Sequence, residues 1–309
     1  MATNTKTSFQ YDGRVGALYR IWIANIFLTI LTLGIYSFWG KTRMRKYIAQ
    51  SFALLQDRFE YTGTGMEIFL GFLKALPVII LIYAPIVIWK PEEHPIVNLI
   101  FIPIIYLVYV AIYGALRYRL SRTTWRGVRG ALSGSGFRYA AIALLRIPLN
   151  IITLGLMIPA SNIKTYRYII EHTHFGSAQA SFDGNAGALF KVNLVTLLLA
   201  IPTLGLSRIW YAAAELQHHY NHTTIGGIRL ASTHTGGSML GLIIGNILIM
   251  VLTLGLGTPI VIQRNLKYFT DNLYILGDIE TSGIMQSGHE RPATGEGLDG
   301  AMGLDSGFI

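Results

Sequence analysis

The sequence predicts an all-α integral membrane protein built from about five tandem units of roughly 50 residues. Three observations predict it. Of 309 residues, 52% are hydrophobic and 13% charged, about half the charged share of an ordinary soluble domain. Ile21–Trp39, Ile96–Leu116 and Met239–Ile262 contain no Asp, Glu, Lys, Arg or His and approach the ~20 residues a helix needs to cross hydrocarbon. Thr-Leu-Gly recurs at 32–34, 153–155, 203–205 and 253–255, the last three copies at intervals of 50. Weaker apolar runs at Leu70–Trp89, Tyr139–Ile163 and Val192–Ser207 bring the expected membrane-embedded segments to six.

The flanks repeat with the same register. "DGRVGALYR" at 12–20 matches "DGNAGALFK" at 183–191, and the offset of 171 also carries Thr32 onto Thr203. The units run over about 9–58, 59–129, 130–180, 181–230 and 231–281. Each passes from a Gly-containing lead-in to an apolar helix, then a basic aromatic helix, then a short Gly-, Thr- and aromatic-rich stretch read as β-like segments on the cytoplasmic side. The second unit is longer and lacks Thr-Leu-Gly; its "KPEEHP" at 90–95 reads as the outer loop of a full transmembrane hairpin. The first apolar run follows some twenty mixed residues without a small-x-small site, so it reads as retained. Residues 282–309 read as a disordered Gly-rich acidic tail. Residues 1–281 form the single membrane domain.

Two topologies fit. Six single crossings would spread Lys and Arg almost evenly over both faces, a poor positive-inside bias. Units that enter and return on one side leave only Lys90 outside, with Gly supplying the turn and the Thr hydroxyl bonding backbone that water cannot reach. In the second topology the return arm is shallow, because Lys41 follows Gly34 by seven residues. Under the first, Thr-Leu-Gly ends a span, Trp39 sits in an aromatic belt and an amphipathic helix lies on the surface.

At "LTLGIYSFWGKTRMRKY" (31–47), "FEYTGTGMEIFLGFLKA" (59–75), "NIITLGL" and "VLTLGLG" the chain resembles the YjgN-like family of bacterial inner-membrane proteins. The resemblance covers residues 9–281. It implies a multi-pass protein of the bacterial inner (plasma) membrane and brings no established activity, substrate or catalytic residue.

Seven residues before each Thr-Leu-Gly stand Asn25, Arg146, Thr196 and Asn246. Such groups form either a substrate path through a polar layer or interhelical hydrogen-bond glue. Lys41, Arg43, Arg45, Lys46, Arg117 and Arg119 are candidate contacts for anionic lipid headgroups, and positive charge marking topology also accounts for them. Glu215, His218 and His222 share a helical face with metal-like spacing, yet no second set faces them, so a solvated surface is the plainer reading and no metal is expected. "GLIIG" at 241–245 has helix-packing spacing, and Gly13 and Gly16 lack the context of a phosphate loop.

Cysteine is absent, which removes disulfide and thiol chemistry. The formal charge is +9; the tail carries one Arg against Glu290, Glu296, Asp299 and Asp305, so the rest of the chain carries +12. That excess points to anionic lipid as partner, not nucleic acid. The expected function is non-enzymatic and needs no cofactor: handling of a small solute, ion or lipid through the polar layer, or alternatively a non-catalytic envelope scaffold or anionic-lipid-binding protein.

Overall fold

The computed structural model describes residues 6–89, 99 and 101–277; the "KPEEHP" loop and the 282–309 tail lie outside the described residues. The chain starts with two strand pieces, β1 (Lys6–Ser8) and β2 (Gln10–Tyr11), separated by Phe9. Five helical pairs follow: α1 (Val15–Leu31) with α2 (Ser37–Ser51), α3 (Gly65–Trp89) with α4 (Phe101–Arg122), α5 (Gly136–Ile152) with α6 (Ile158–Glu171), α7 (Gly187–Leu198) with α8 (Arg208–Asn221), and α9 (Gly236–Leu252) with α10 (Thr258–Asp271). Between pairs lie the hairpins β3 (Phe52–Leu54) and β4 (Asp57–Tyr61), β5 (Thr123–Trp125) and β6 (Val128–Leu132), β7 (Thr173–Phe175) and β8 (Ala178–Phe182), β9 (Thr223–Ile225) and β10 (Ile228–Ser232). Among the described residues the last strand is β11 (Leu273–Leu276).

The hairpins are held by two-residue turns. Leu55-Gln56, Arg126-Gly127 and Gly226-Gly227 all place both central residues at positive φ, the mirror-image turn whose twist suits paired strands. Each hairpin then pairs antiparallel with the next: Phe59 faces Trp125, Gly130 faces Phe175, Ala180 faces Ile225 and Leu230 faces Ile275. At one end of this series Thr7 faces Ile275; at the other, Tyr11 faces Phe52. All eleven strands join one sheet whose terminal members, β1 and β2, are covalently joined through Phe9. The chain thus closes the sheet into a ring, which removes its open edges.

This ring corrects the all-α expectation. The β-like segments are the scaffold from which every helical pair springs, and the fold mixes α and β. The six-segment count is corrected for a related reason, because a hydropathy window reads through a break in the backbone. Ile21–Trp39 divides at 32–36, Tyr139–Ile163 at 153–157 and Met239–Ile262 at 253–257. Among the described residues, only Phe101–Arg122 is long and apolar enough to cross a membrane by length and composition.

Helices also close a ring. Four pairs pack arm against arm, while α3 and α4 are joined where Glu67 receives Arg122 and Tyr118; neighbouring pairs meet as α2 with α3, α4 with α5, α6 with α7 and α8 with α9, and α10 returns to α1. Where helix gives way to strand, hydroxyls secure the last turn: Ser51 donates to the Tyr47 carbonyl, Thr123 to Arg119, Thr173 to Ile169 and Thr223 to His219. The linker from strand back to helix is clamped from the returning arm. Tyr47 OH donates to the Arg14 carbonyl at 3.1 Å and accepts the Arg14 N–H at 2.7 Å. Tyr168 does the same to Ser135, both at 2.9 Å. A Tyr113–Tyr139–Tyr168 cluster with Leu132 and Ala143 fills the space above that linker.

His234, in the linker before α9, is buried beside Ser232 and the rings of Tyr268 and Phe269. Burial pulls its imidazole down to about 4. Between that value and the ordinary ~6.5 the unfolded chain binds a proton that the native chain does not, so stability falls as pH drops through this window. Thermal unfolding followed from pH 7 to pH 4 will show that acid-side loss, with a shallower slope in His234→Phe.

Candidate functional site

The four Thr-Leu-Gly turns share one construction. Each Thr hydroxyl donates to the carbonyl four residues back, at 2.7 Å for Thr32, 2.8 Å for Thr153 and 2.6 Å for both Thr203 and Thr253. The same oxygen accepts the N–H four residues ahead, from Tyr36, Met157, Ser207 and Gly257. Each Gly, at φ between 84° and 94°, donates its N–H to the carbonyl five residues back, the helix-ending bond that a left-handed residue permits. The reversal therefore satisfies much of its backbone without water.

The residue between Thr and Gly is the informative one. Leu33, Leu154, Leu204 and Leu254 all have φ of 48–50°, a region that costs a side-chain-bearing residue ~1–2 kcal/mol and favours Gly, Asn or Asp. They are also 94%, 82%, 93% and 91% exposed. Ile30, Leu31, Ile151, Ile152, Leu198, Ile201 and Leu252 extend the exposed apolar surface around these tips. In water a strained and fully exposed leucine has nothing to recommend it; in lipid its side chain is solvated.

The four polar residues placed before the turns each tie the two arms of their own pair together. Asn25 Nδ2 donates to the Gly40 carbonyl at 3.0 Å, and Gly40 packs directly on that amide. Arg146 Nη1 reaches Asn162 Oδ1 at 3.5 Å and lies over the Tyr109 ring. Thr196 Oγ1 accepts from Arg208 Nη1 at 2.9 Å. Asn246 donates to Asn265 Oδ1 at 2.6 Å and accepts from Arg264 Nε at 3.0 Å, and Gly245 of "GLIIG" lies against the same guanidinium. No hydrogen bond among the described residues joins any two of the four.

Sequence reading missed the partners that carry these bonds between pairs. Asn162 donates to Glu215 Oε1 at 2.8 Å, and Tyr211 donates to the same oxygen at 2.8 Å, so a polar chain runs from Arg146 to α8 of the next pair. Buried Asn193 donates to the Gly155 carbonyl at 3.1 Å, tying α7 to the neighbouring tip, and accepts from Arg208 Nη2 at 3.0 Å. Glu67 receives Arg122 through Nε at 3.2 Å and Nη2 at 2.7 Å, plus Tyr118 OH at 2.7 Å. Thr64-x-x-Glu67, with reciprocal bonds at 3.2 and 3.3 Å, carries the capping-box spacing that could have found this last group.

Of the cationic candidates, Arg43 and Lys46 are exposed. Arg45 donates to Tyr61 OH at 3.3 Å, and Arg117 bonds the Gly134 carbonyl and lies over Tyr113. Lys41 helps line a cleft of about 290 Å³ between α1 and α2, and Arg119 is half-buried. The histidines have packing partners: His219 stacks on Tyr166 at 3.9 Å and His218 lies 4.0 Å from His222. His218 stands 33 residues after Asn185, the interval that separates Tyr47 from Arg14 and Tyr168 from Ser135, and its ring lies against that linker. No group of three His or acidic residues among those described is placed to hold a metal ion.

Fold and site together define a closed antiparallel sheet crowned by helical pairs with exposed apolar tips, and the curated relatives of this chain are named inner membrane proteins. The model of a family described as a bacterial protein of unknown function, DUF898, matches residues 6–209 and 196–301, and the chain belongs to that family. It is 29% identical over 124 residues to inner membrane protein YjgN of Escherichia coli, in strain K12 and in O157:H7, covering 40% of this chain and 30% of the relative. The Salmonella typhimurium protein of the same name is 26% identical over 156 residues, covering 48% and 38%. The chain thus spans about a third of the length of the curated relatives it matches. No solved structure matches it.

Replacing Asn193 by Leu removes the amide that donates to the neighbouring tip and takes one acceptor from Arg208, whose bond to Thr196 Oγ1 remains. It should cost about 3 kcal/mol, read as a lowered unfolding midpoint in mild detergent, with a smaller effect from Thr196→Val.

Proposed function

We propose that this is a non-catalytic, lipid-binding protein of the bacterial inner membrane, which seats its helical crown in the cytoplasmic leaflet and holds the strand ring in the cytoplasm. The single observation that carries the reading is the set of four exposed leucines in left-handed backbone at the turn tips. Arm lengths support a shallow seat. The 12-residue α7 spans about 18 Å and the 17-residue α1 about 26 Å, both short of the ~30 Å hydrocarbon thickness. α4, with 22 residues, is long and apolar enough to cross, and α3, with 25 residues, matches it in length alone; in this reading α4 crosses with α3 beside it while the other four pairs dip and return. Arg43 and Lys46 face anionic headgroups, each such cation near the surface contributing ~1 kcal/mol. The printed names of the relatives favour the same compartment.

The cysteine-free chain makes the test direct. Single cysteines at Thr62, Asp183 and Thr233 will react with a membrane-impermeant maleimide only from the cytoplasmic side. Cysteines at Leu33 and Leu254 will resist it from both sides and will be quenched by spin-labelled lipid tails when carrying a fluorophore. Reaction of the tip cysteines from water discards the seat. Retention of phosphatidylglycerol over phosphatidylcholine should drop severalfold in Arg43→Gln/Lys46→Gln.

A second reading, movement of a small solute or ion through the polar layer, is favoured by the Arg146–Asn162–Glu215–Tyr211 chain, which crosses from one helical pair to the next. Proteoliposomes decide it: proton or cation flux that disappears in Glu215→Gln supports a path, and equal leak in wild type and variant rejects it.

A further inference from the structure

The lumen of the strand ring has not been assigned to the lipid-facing role of the crown. Its walls come from all the hairpins. A space of about 300 Å³ is lined by residues that include Phe9, Phe59, Trp125, Phe175, Ile228 and Ile275. An eight-stranded barrel is just filled by its own side chains, and each added strand widens the interior; here eleven strand pieces surround it. Gly130 and Ala180 on the inward register reduce the filling further. The space exceeds what a well-packed core leaves open and falls at the lower end of ligand-sized pockets.

A second space of about 280 Å³ adjoins the first, between the ends of α2 and α10, at Ala49, Phe269 and Thr270. Phe9, Phe59, Thr123 and Leu273 line both. The two together make an elongated apolar chamber leading from the base of the helical crown into the ring, past the residue at which the closing strand is broken. Among the described residues no Asp, Glu, Lys or Arg lines either space, and the imidazole of His174, which lines the first, has its Nε2 engaged with Ser133 Oγ at 3.1 Å. The hydroxyls of Thr123 and Thr173 donate to the Arg119 and Ile169 carbonyls, and that of Thr270 to Leu266. These walls therefore offer carbon, and an occupant gains by burying methylenes, not by pairing polar groups.

We propose that the ring lumen binds one unbranched alkyl chain, which enters from the crown side past Phe9 and leaves its polar end outside the chamber. Both a free fatty acid and one tail of a membrane lipid carry that chemistry. The site stands on the chamber alone and does not depend on how deeply the crown is seated. Trp125 reports on it, since its ring lies between Phe59 at 6.2 Å and Phe175 at 6.0 Å.

The full chain, purified in a fluorinated surfactant whose tails do not compete, is titrated with bromine-terminated fatty acids of increasing length and with bromine-tailed phosphatidylglycerol. Expected is saturable quenching of tryptophan fluorescence, tightening severalfold per added methylene until the chamber is filled, and lost in Trp125→Phe. Ile228→Phe/Leu230→Phe, checked for an unchanged circular dichroism spectrum, should weaken binding by roughly tenfold or more. Phe9→Ala, which widens the passage shared by the two spaces, should speed release. Quenching by both probes or by either one supports the site and identifies the source of the chain. Quenching that survives Trp125→Phe or is independent of chain length overturns the proposal, as does no quenching combined with no alkyl compound in an organic extract of the purified protein.

Discussion

Residues 6–11 pair on two sides, with β11 across Lys6–Ser8 and with β3 across Gln10–Tyr11, and almost everything else follows from that double attachment. Four hairpins alone would form an open strip with two edges of unpaired amides and carbonyls. With the two pieces of the N-terminal segment in place, the strip closes, the helical pairs stand in a circle, and α10 meets α1 through Leu18, Ile262 and Leu266. The lumen exists only because of this closure. So does the common orientation of the four tips, since each pair leaves and rejoins the same ring.

In the proposed seat, two solvents act on the molecule at its two ends. At the ring, exposed ion pairs such as Arg58–Asp12 and Arg229–Asp183 bridge elements in a manner suited to water, where their net worth is small. At the tips, side-chain hydroxyls replace water in satisfying backbone groups, and leucine occupies a conformation normally left to glycine. Between these zones lie the groups that are neither: Arg208 held by Asn193 and Thr196, Arg122 by Glu67, Glu215 by Asn162 and Tyr211. Each charge in this belt is held by side chains, as expected where water is scarce.

A break at Thr-Leu-Gly was legible because a Gly and a hydroxyl interrupt an otherwise uniform apolar run, while the choice between reversal and a span followed by a surface helix was left open. The equivalence of Asn25, Arg146, Thr196 and Asn246 was legible from spacing alone. Their partners were not: Gly40, Asn162, Arg208 and Asn265 lie on the returning arm, and only the fold-back brings them close. The sheet was hidden for a different reason. Strands of two to five residues carry little periodicity, and pairs such as Phe59 with Trp125 are joined across a whole helical pair. The one-face pattern of Glu215, His218 and His222 was visible on its own helix, yet the first two are turned toward other elements, Glu215 toward Asn162 of α6 and His218 toward the linker that a tyrosine clamps elsewhere.

Closure between β1 and β11 also bears on how the chain is made. Lys6 waits for Leu276, and at ~5–20 residues per second the ribosome supplies that partner only after tens of seconds. During synthesis the nascent sheet grows hairpin by hairpin with both flanks bare, one of them the segment made before all five helical pairs. Two nascent chains on one polysome can satisfy each other's flanks as well as their own. Spacing between ribosomes, or a chaperone holding the first strand, then decides whether closed single rings or interlinked assemblies accumulate.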